Sequence, residues 1–190
     1  MTREMRPAGE QPPTLTQFII DGERAHPGAT GEFTNIMTRL ALAARLISRE
    51  VNKAGLVDIL GYTGRTNVQG EEVQKLDEFA NRTMIRCLES TRMVLVMGSE
   101  EQEDIIPVSA PHRAGKYVVL FDPLDGSSNI DVGAPIGTIF SIFRRQDGEG
   151  PGSLEDVLRP GNEQIAAGYV IYGSSTMFIW SAGDGVHGFT

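Results

Sequence analysis

Apolar residues recur along the first half of the chain at the three- and four-residue steps of a helix. Leu15, Phe18 and Ile19 predict a short amphipathic helix or turn, broken at His26-Pro27-Gly28. Phe33, Ile36, Met37, Leu40, Ala44, Ile47 and Val51 predict a long helix, with Thr30 or Thr34 as its cap and Gly55 as its stop. Residues 61–70 read as a Gly-punctuated loop. A second helix is predicted from about Glu72 to Thr91, with an apolar face of Val73, Leu76, Ala80, Met84, Cys87 and Leu88. Asp77 falls in the middle of that stripe. A carboxylate placed there needs a partner or a chemical task.

Beyond Thr91 the rhythm changes to that of strands. Met93–Met97, Lys116–Phe121, Gly137–Phe143, Ile165–Tyr172 and Met177–Trp180 are short apolar runs. Residues 146–163 form a polar loop rich in Gly and Pro, with one turn of helix near Leu154–Leu158. Helices followed by strands predict an α/β fold of the layered α+β kind. Residues 1–13 are polar, end in Pro12-Pro13 and read as a disordered leader, which leaves 14–190 as the folded domain. Gly188-Phe189-Thr190 is strand-like, so the chain is expected to stop inside a strand.

Composition narrows the function classes. The chain has 190 residues, 40% hydrophobic and 22% charged, enough for a packed core. A net charge of −8 disfavours a nucleic-acid backbone or an anionic membrane as the main partner. The single cysteine, Cys87, excludes an internal disulfide and suits a reducing compartment. There is no apolar signal core at the N-terminus and no run of about 18 apolar residues.

The strongest chemical signal is Asp122-Pro123-Leu124-Asp125-Gly126-Ser127-Ser128-Asn129. Two carboxylates three residues apart at a strand end suit a hard cation such as Mg²⁺. Gly126 permits close backbone approach, and the amides of Gly126, Ser127 and Ser128 can face an anion. Metal-binding acids beside an anion nest are what phosphoryl chemistry requires. The competing reading is an Asx-type turn or a Ca²⁺ loop; EF-hand spacing fails, because neither Gly133 nor Ile136 is the required glutamate. Glu100-Glu101, just past the run Met93–Met97, and Asp77 with Glu71 at the second helix add further acids. Each alone reads as a solvated or structural group. Together they surround one strand edge, where like charges are unfavourable without cations between them.

Three features carry no chemistry. Gly183-Asp184-Gly185-Val186-His187-Gly188 has dinucleotide-site glycine spacing, but no helix follows, and a hairpin turn is predicted. His26, His112 and His187 are scattered without metal-ligand spacing, and Cys87 sits on an apolar helix face as an inert core residue.

These residues also carry a family resemblance. Asp-Pro-Leu-Asp-Gly-Ser marks the lithium-sensitive, Mg²⁺-dependent phosphatases. The extension to Asp131, with Ala29–Thr34, Asn52–Val57, Asn67–Glu71, Lys75–Asp77, Ser99–Glu101, Lys116–Val119, Gly137–Phe140 and Ala166–Tyr169, resembles the front part of class I fructose-1,6-bisphosphatase of the bacterial type. The resemblance implies the N-terminal domain of the sugar-phosphatase fold, a layered sandwich with long helices packed on a mixed sheet, and hydrolysis of the 1-phosphate of fructose 1,6-bisphosphate to fructose 6-phosphate, a step of gluconeogenesis. Glu100, Asp122, Asp125 and the Leu124 carbonyl are implied Mg²⁺ ligands, Mn²⁺ being a substitute, with Glu71 near a third metal. Asp77 and Glu101 match the acids that activate the attacking water. Gly126, Ser127 and Ser128 would cradle the 1-phosphate.

The resemblance further implies a remote inhibitory AMP site at Thr30, Gly31, Glu32, Phe33, Thr34, Lys116, Tyr117 and Arg144, and a cytoplasmic homotetramer. Family members are longer, and most sugar and 6-phosphate contacts lie in the part that follows. These 190 residues alone are therefore expected to be inactive. Sedoheptulose 1,7-bisphosphate is the nearest alternative substrate. A non-catalytic AMP-binding or assembly module is the alternative from another class.

Overall fold

The computed structural model describes residues 12–24, 29–59, 66–108, 115–127, 135–146 and 150–190, with side chains at all of these except 54–59 and 66–74. Three helices come first: α1 (Leu15–Glu23), α2 (Glu32–Ile59) and α3 (Thr66–Glu89). The strands follow as β1 (Val94–Ser99), β2 (Ile106–Pro107), β3 (Tyr117–Asp125), β4 (Ile136–Arg144), β5 (Gln164–Tyr172), β6 (Met177–Ser181) and β7 (His187–Phe189), with the short α4 (Leu154–Val157) before β5.

The strands form one mixed sheet in the order β2-β1-β3-β4-β5-β6-β7. β1 and β3 run parallel, so their C-terminal ends lie side by side; the other pairs are antiparallel. The helical stripes read from the sequence become one core. Ile36, Met37, Leu40 and Ile47 of α2 and Leu76, Ala80, Met84 and Leu88 of α3 pack with Val119, Phe121, Phe140, Ile142 and Trp180 of the sheet. Cys87 is partly buried against this core, and burial pushes its thiol pKa up. On the opposite face, Val157 of α4 covers Leu95, Val96, Val118 and Phe143.

Several boundaries differ from expectation. α2 continues through Gly55 to Ile59, and α3 starts at Thr66, so the second half of the predicted 61–70 loop is helical. A helix-interior glycine costs only about 1 kcal/mol against alanine, which a long, packed helix tolerates. Neither Thr30 nor Thr34 caps α2. The position before the helix is Gly31, at φ 74°, whose carbonyl accepts the Asn35 amide at 3.0 Å. β2 was not foreseen, being only two residues long. The hairpin over Gly183–Gly185 is present between β6 and β7. Residues 1–11 of the expected leader, and His26-Pro27-Gly28, lie outside the described residues.

Candidate active site

The Asp-Pro-Leu-Asp stretch belongs to β3 itself rather than to a turn after it. Asp122 pairs with Ile139 and Asp125 with Gly137, and the register slips between them. This is a bulge, where proline's missing N–H does no harm to the ladder. Asp122 caps its own bulge by accepting the Leu124 amide at 3.0 Å. The Pro123 carbonyl accepts from Thr138 Oγ1 at 2.8 Å, and Thr138 Oγ1 in turn meets the Tyr172 hydroxyl at 2.6 Å, both side chains being buried. Gly126 follows at φ 79°, a left-handed conformation that turns the chain back toward the helices.

β1 delivers the second group of acids to the same end of the sheet. Ser99 is in register with Phe121, and the Glu100 amide donates to the Phe121 carbonyl at 3.0 Å. Glu100 and Glu101 therefore emerge beside Asp122, at the C-terminal ends of two parallel strands. Ligands collect at such ends in open α/β sheets.

α3 supplies the third component. Asp77 Oδ2 accepts from Ser127 Oγ at 3.3 Å, while its Oδ1 is buried with no hydrogen-bond partner. The buried stripe seen in the sequence thus aims its one carboxylate at the small-residue turn after β3.

The electrostatics show that these acids share one environment. Burial raises the Asp77 pKa; the Ser127 hydroxyl opposes this and Glu100 adds to it. Burial, then Asp77, Glu100 and Asp122, raise Glu101. Burial raises Asp122, the Leu124 amide opposes it, and Asp125, Glu100 and Asp77 push it further up. Uncompensated repulsion of this kind, with an orphaned buried carboxylate oxygen, fits a hard cation, and the donors are all oxygens. Among the described residues no three acids yet converge as a closed ligand set. Glu71 has no described side chain, and Ser128 lies outside the described residues.

Along the bare sheet face beside these acids lies an open concavity of about 700 Å³. Glu100 and Asp122 touch it, but Ile139, Tyr169, Ile179 and Val186 make its lining largely apolar, a poor match to a bisphosphorylated sugar.

The predicted AMP residues gather at the start of α2. Lys116 Nζ reaches both Glu32 oxygens, at 2.9 and 3.1 Å. Tyr117 is paired with Arg144 across β3 and β4. Burial raises the Tyr117 pKa, with Glu32 adding to it. The Thr34 amide donates to the Glu23 carboxylate of α1 at 3.3 Å, and Thr34 Oγ1 is buried without a partner.

The family model for the fructose-1-6-bisphosphatase N-terminal domain matches residues 13–190. The chain belongs to the fructose-1,6-bisphosphatase family. It is 56% identical over 178 residues to the class 1 enzyme of Maridesulfovibrio salexigens, covering 93% of this chain and 53% of that one. Identity to the Chloroherpeton thalassium class 1 enzyme is also 56%, covering 93% of this chain and 51% of the relative. The holo crystal structure of Leishmania major fructose-1,6-bisphosphatase matches with a TM-score of 0.79 at 36% identity, over 95% of this chain and 54% of that one. The chain thus spans about half the length of the relatives it matches.

Sequence reading missed the neutral residues that place the acids: Asn81, Ser99, Thr138 and Tyr172. Asn81 stands four residues after Asp77 and so on the same helix face, and Ser99 and Thr138 fall inside stretches that carry the resemblance, but none of these signals names a hydrogen-bond partner.

Proposed function

We propose that this chain carries the metal-binding and 1-phosphate-binding side of an Mg²⁺-dependent fructose-1,6-bisphosphatase, which hydrolyses fructose 1,6-bisphosphate to fructose 6-phosphate and phosphate. The observation that carries the reading is the Asp77–Ser127 contact, which seats a half-buried carboxylate against the turn meant for the phosphate. Asp122, Asp125, Glu100 and the Leu124 carbonyl would hold Mg²⁺ or Mn²⁺, with Glu71 toward a third site. The bound cation would lower the pKa of water and offset phosphate charge. Asp77 and Glu101, whose pKa values are raised, accept the proton of the attacking water more readily than ordinary carboxylates. The amides of Gly126, Ser127 and Ser128 bind the phosphate oxygens, and the Ser127 hydroxyl keeps Asp77 in line. AMP at the start of α2 is the inhibitory ligand, and the working assembly is a cytoplasmic homotetramer. Among the described residues no helix is long and apolar enough to cross a membrane.

The test is a chimaera joining this chain to the C-terminal half of the Maridesulfovibrio salexigens enzyme. It is expected to release phosphate from fructose 1,6-bisphosphate with Mg²⁺, and in preference to sedoheptulose 1,7-bisphosphate. Asp125→Ala is expected to abolish release. A folded chimaera that binds Mg²⁺ without turnover would sink the catalytic reading.

A further inference from the structure

Asp77 and Asn81 stand about one helical turn apart on α3, and each grips a different turn of the sheet. Asp77 accepts from Ser127 after β3, and Asn81 Oδ1 accepts from Ser99 Oγ at the end of β1, at 2.8 Å. With its proton committed to Asn81, Ser99 Oγ receives the Glu101 amide at 3.3 Å. The Ser99 carbonyl also accepts the Gln102 amide at 3.2 Å. A continuous path of hydrogen bonds therefore runs from α3 through Ser99 to the turn that presents Glu100 and Glu101. Asn81 and Ser99 are 9% and 8% exposed, so the bond between them is shielded from water.

Charge explains why an amide suits this position. The acids of α3 and of the β1 turn repel one another, which tends to part the two elements. An amide oxygen accepts the Ser99 proton without adding another negative charge. A serine at the strand end needs its lone pair for Glu101, so its proton must find an acceptor elsewhere, and α3 provides one.

We propose that Asn81 is a positioning residue, which holds the Glu100–Glu101 turn against Asp77 so that the acids are set before a cation arrives. Its functional consequence rests on the metal site proposed above; its geometric part does not.

Two measurements on the full 190-residue chain test it: amide hydrogen exchange by NMR without metal, and Mn²⁺ titration by electron paramagnetic resonance. Asn81→Ala and Ser99→Ala are each expected to speed exchange of the Glu101 amide about tenfold and to weaken Mn²⁺ about tenfold. The amides of β4 and β5 should keep their protection. Ser99→Thr retains the hydroxyl and should behave as wild type. The double variant should be no weaker than either single one, because both remove the same link. Unchanged Glu101 exchange in Asn81→Ala overturns the proposal, as does a uniform loss of protection across the sheet, or a Ser99→Thr variant as weak as Ser99→Ala. If the wild-type chain binds no Mn²⁺, the metal reading fails, while the exchange data still decide the role of Asn81.

Discussion

Ser127 donates to one oxygen of Asp77 at 3.3 Å, while the other oxygen is buried and unpaired. That asymmetry is costly in an isolated protein, because a buried acceptor without a partner forfeits its hydration. A cation or a water proton at that oxygen would offset the cost.

The same asymmetry sets a pH dependence. Asp77, Asp122 and Glu101 all have pKa values raised in the folded chain. Such groups favour folding when protonated, so their contribution is complete below the ordinary carboxylate range, near 3.8 for Asp, and is lost as the pH rises through the raised values. The metal-free chain should therefore lose stability from these groups as the pH rises above the ordinary carboxylate range. Asp77→Asn removes one of them. Thermal melts should show a shallower dependence of Tm on pH in the variant, and a higher Tm at pH 7. Equal slopes for variant and wild type would count against the shared acid environment.

Cations should oppose that loss. A ligand that binds only the folded state stabilises it by about 2.7 kcal/mol at a hundred times its Kd. Mg²⁺ or Mn²⁺ at pH 7 is thus expected to raise Tm by several degrees, and EDTA to reverse the gain. Asp122→Asn and Asp125→Ala should abolish the response while leaving the metal-free melt near or above that of wild type. A cation response that survives both substitutions would place the metal elsewhere.

How much of this was legible in the sequence depends on the range of each signal. The helical stripes and Val-rich runs are local, and the core follows them. Asp77 was conspicuous because a carboxylate interrupted an apolar face. The pairings of Asn81, Ser99, Thr138 and Tyr172 were not legible, because their hydrogen bonds span 18, 15 and 34 residues and no local pattern foretells the partner. Helix ends were misplaced at Gly55 and Gly70, where glycine was read as punctuation although packing elsewhere on the helix outweighs its modest propensity cost. The bulge in β3 was hidden too: the two aspartates read as lying at a strand end, yet the strand resumes its pairing at Asp125.

The bulge offers a graded test. In Tyr172→Phe, Thr138 can still donate to the Pro123 carbonyl, so the loss is one buried hydrogen bond, about 1 kcal/mol. Thr138→Val strands both the Pro123 carbonyl and the Tyr172 hydroxyl, each costing about 1–3 kcal/mol. Urea unfolding should therefore rank Thr138→Val as clearly more destabilising than Tyr172→Phe. Loss of Mg²⁺ affinity should follow the same order, because the bulge spaces Asp122 from Asp125. The reverse order would show that Tyr172 supports the strand independently of Thr138.

At the other end of the molecule, Lys116 and Glu23 predict opposite effects on AMP. The Lys116–Glu32 pair has its lysine 52% exposed, so it contributes at most about 1 kcal/mol to stability, and Lys116→Ala should leave Tm almost unchanged. A nucleotide phosphate at the start of α2 would nevertheless lose its cationic partner, and AMP affinity should fall about tenfold. Glu23 acts the other way. Its carboxylate already accepts the Thr34 amide, one of the free N–H groups that an incoming phosphate would use, and it repels that phosphate. Glu23→Gln should tighten AMP binding by about three- to tenfold, since a neutral amide yields the Thr34 N–H without like-charge repulsion. Isothermal titration calorimetry of the two variants should thus move in opposite directions from wild type. Shifts in the same direction would mean that AMP does not dock its phosphate at the start of α2.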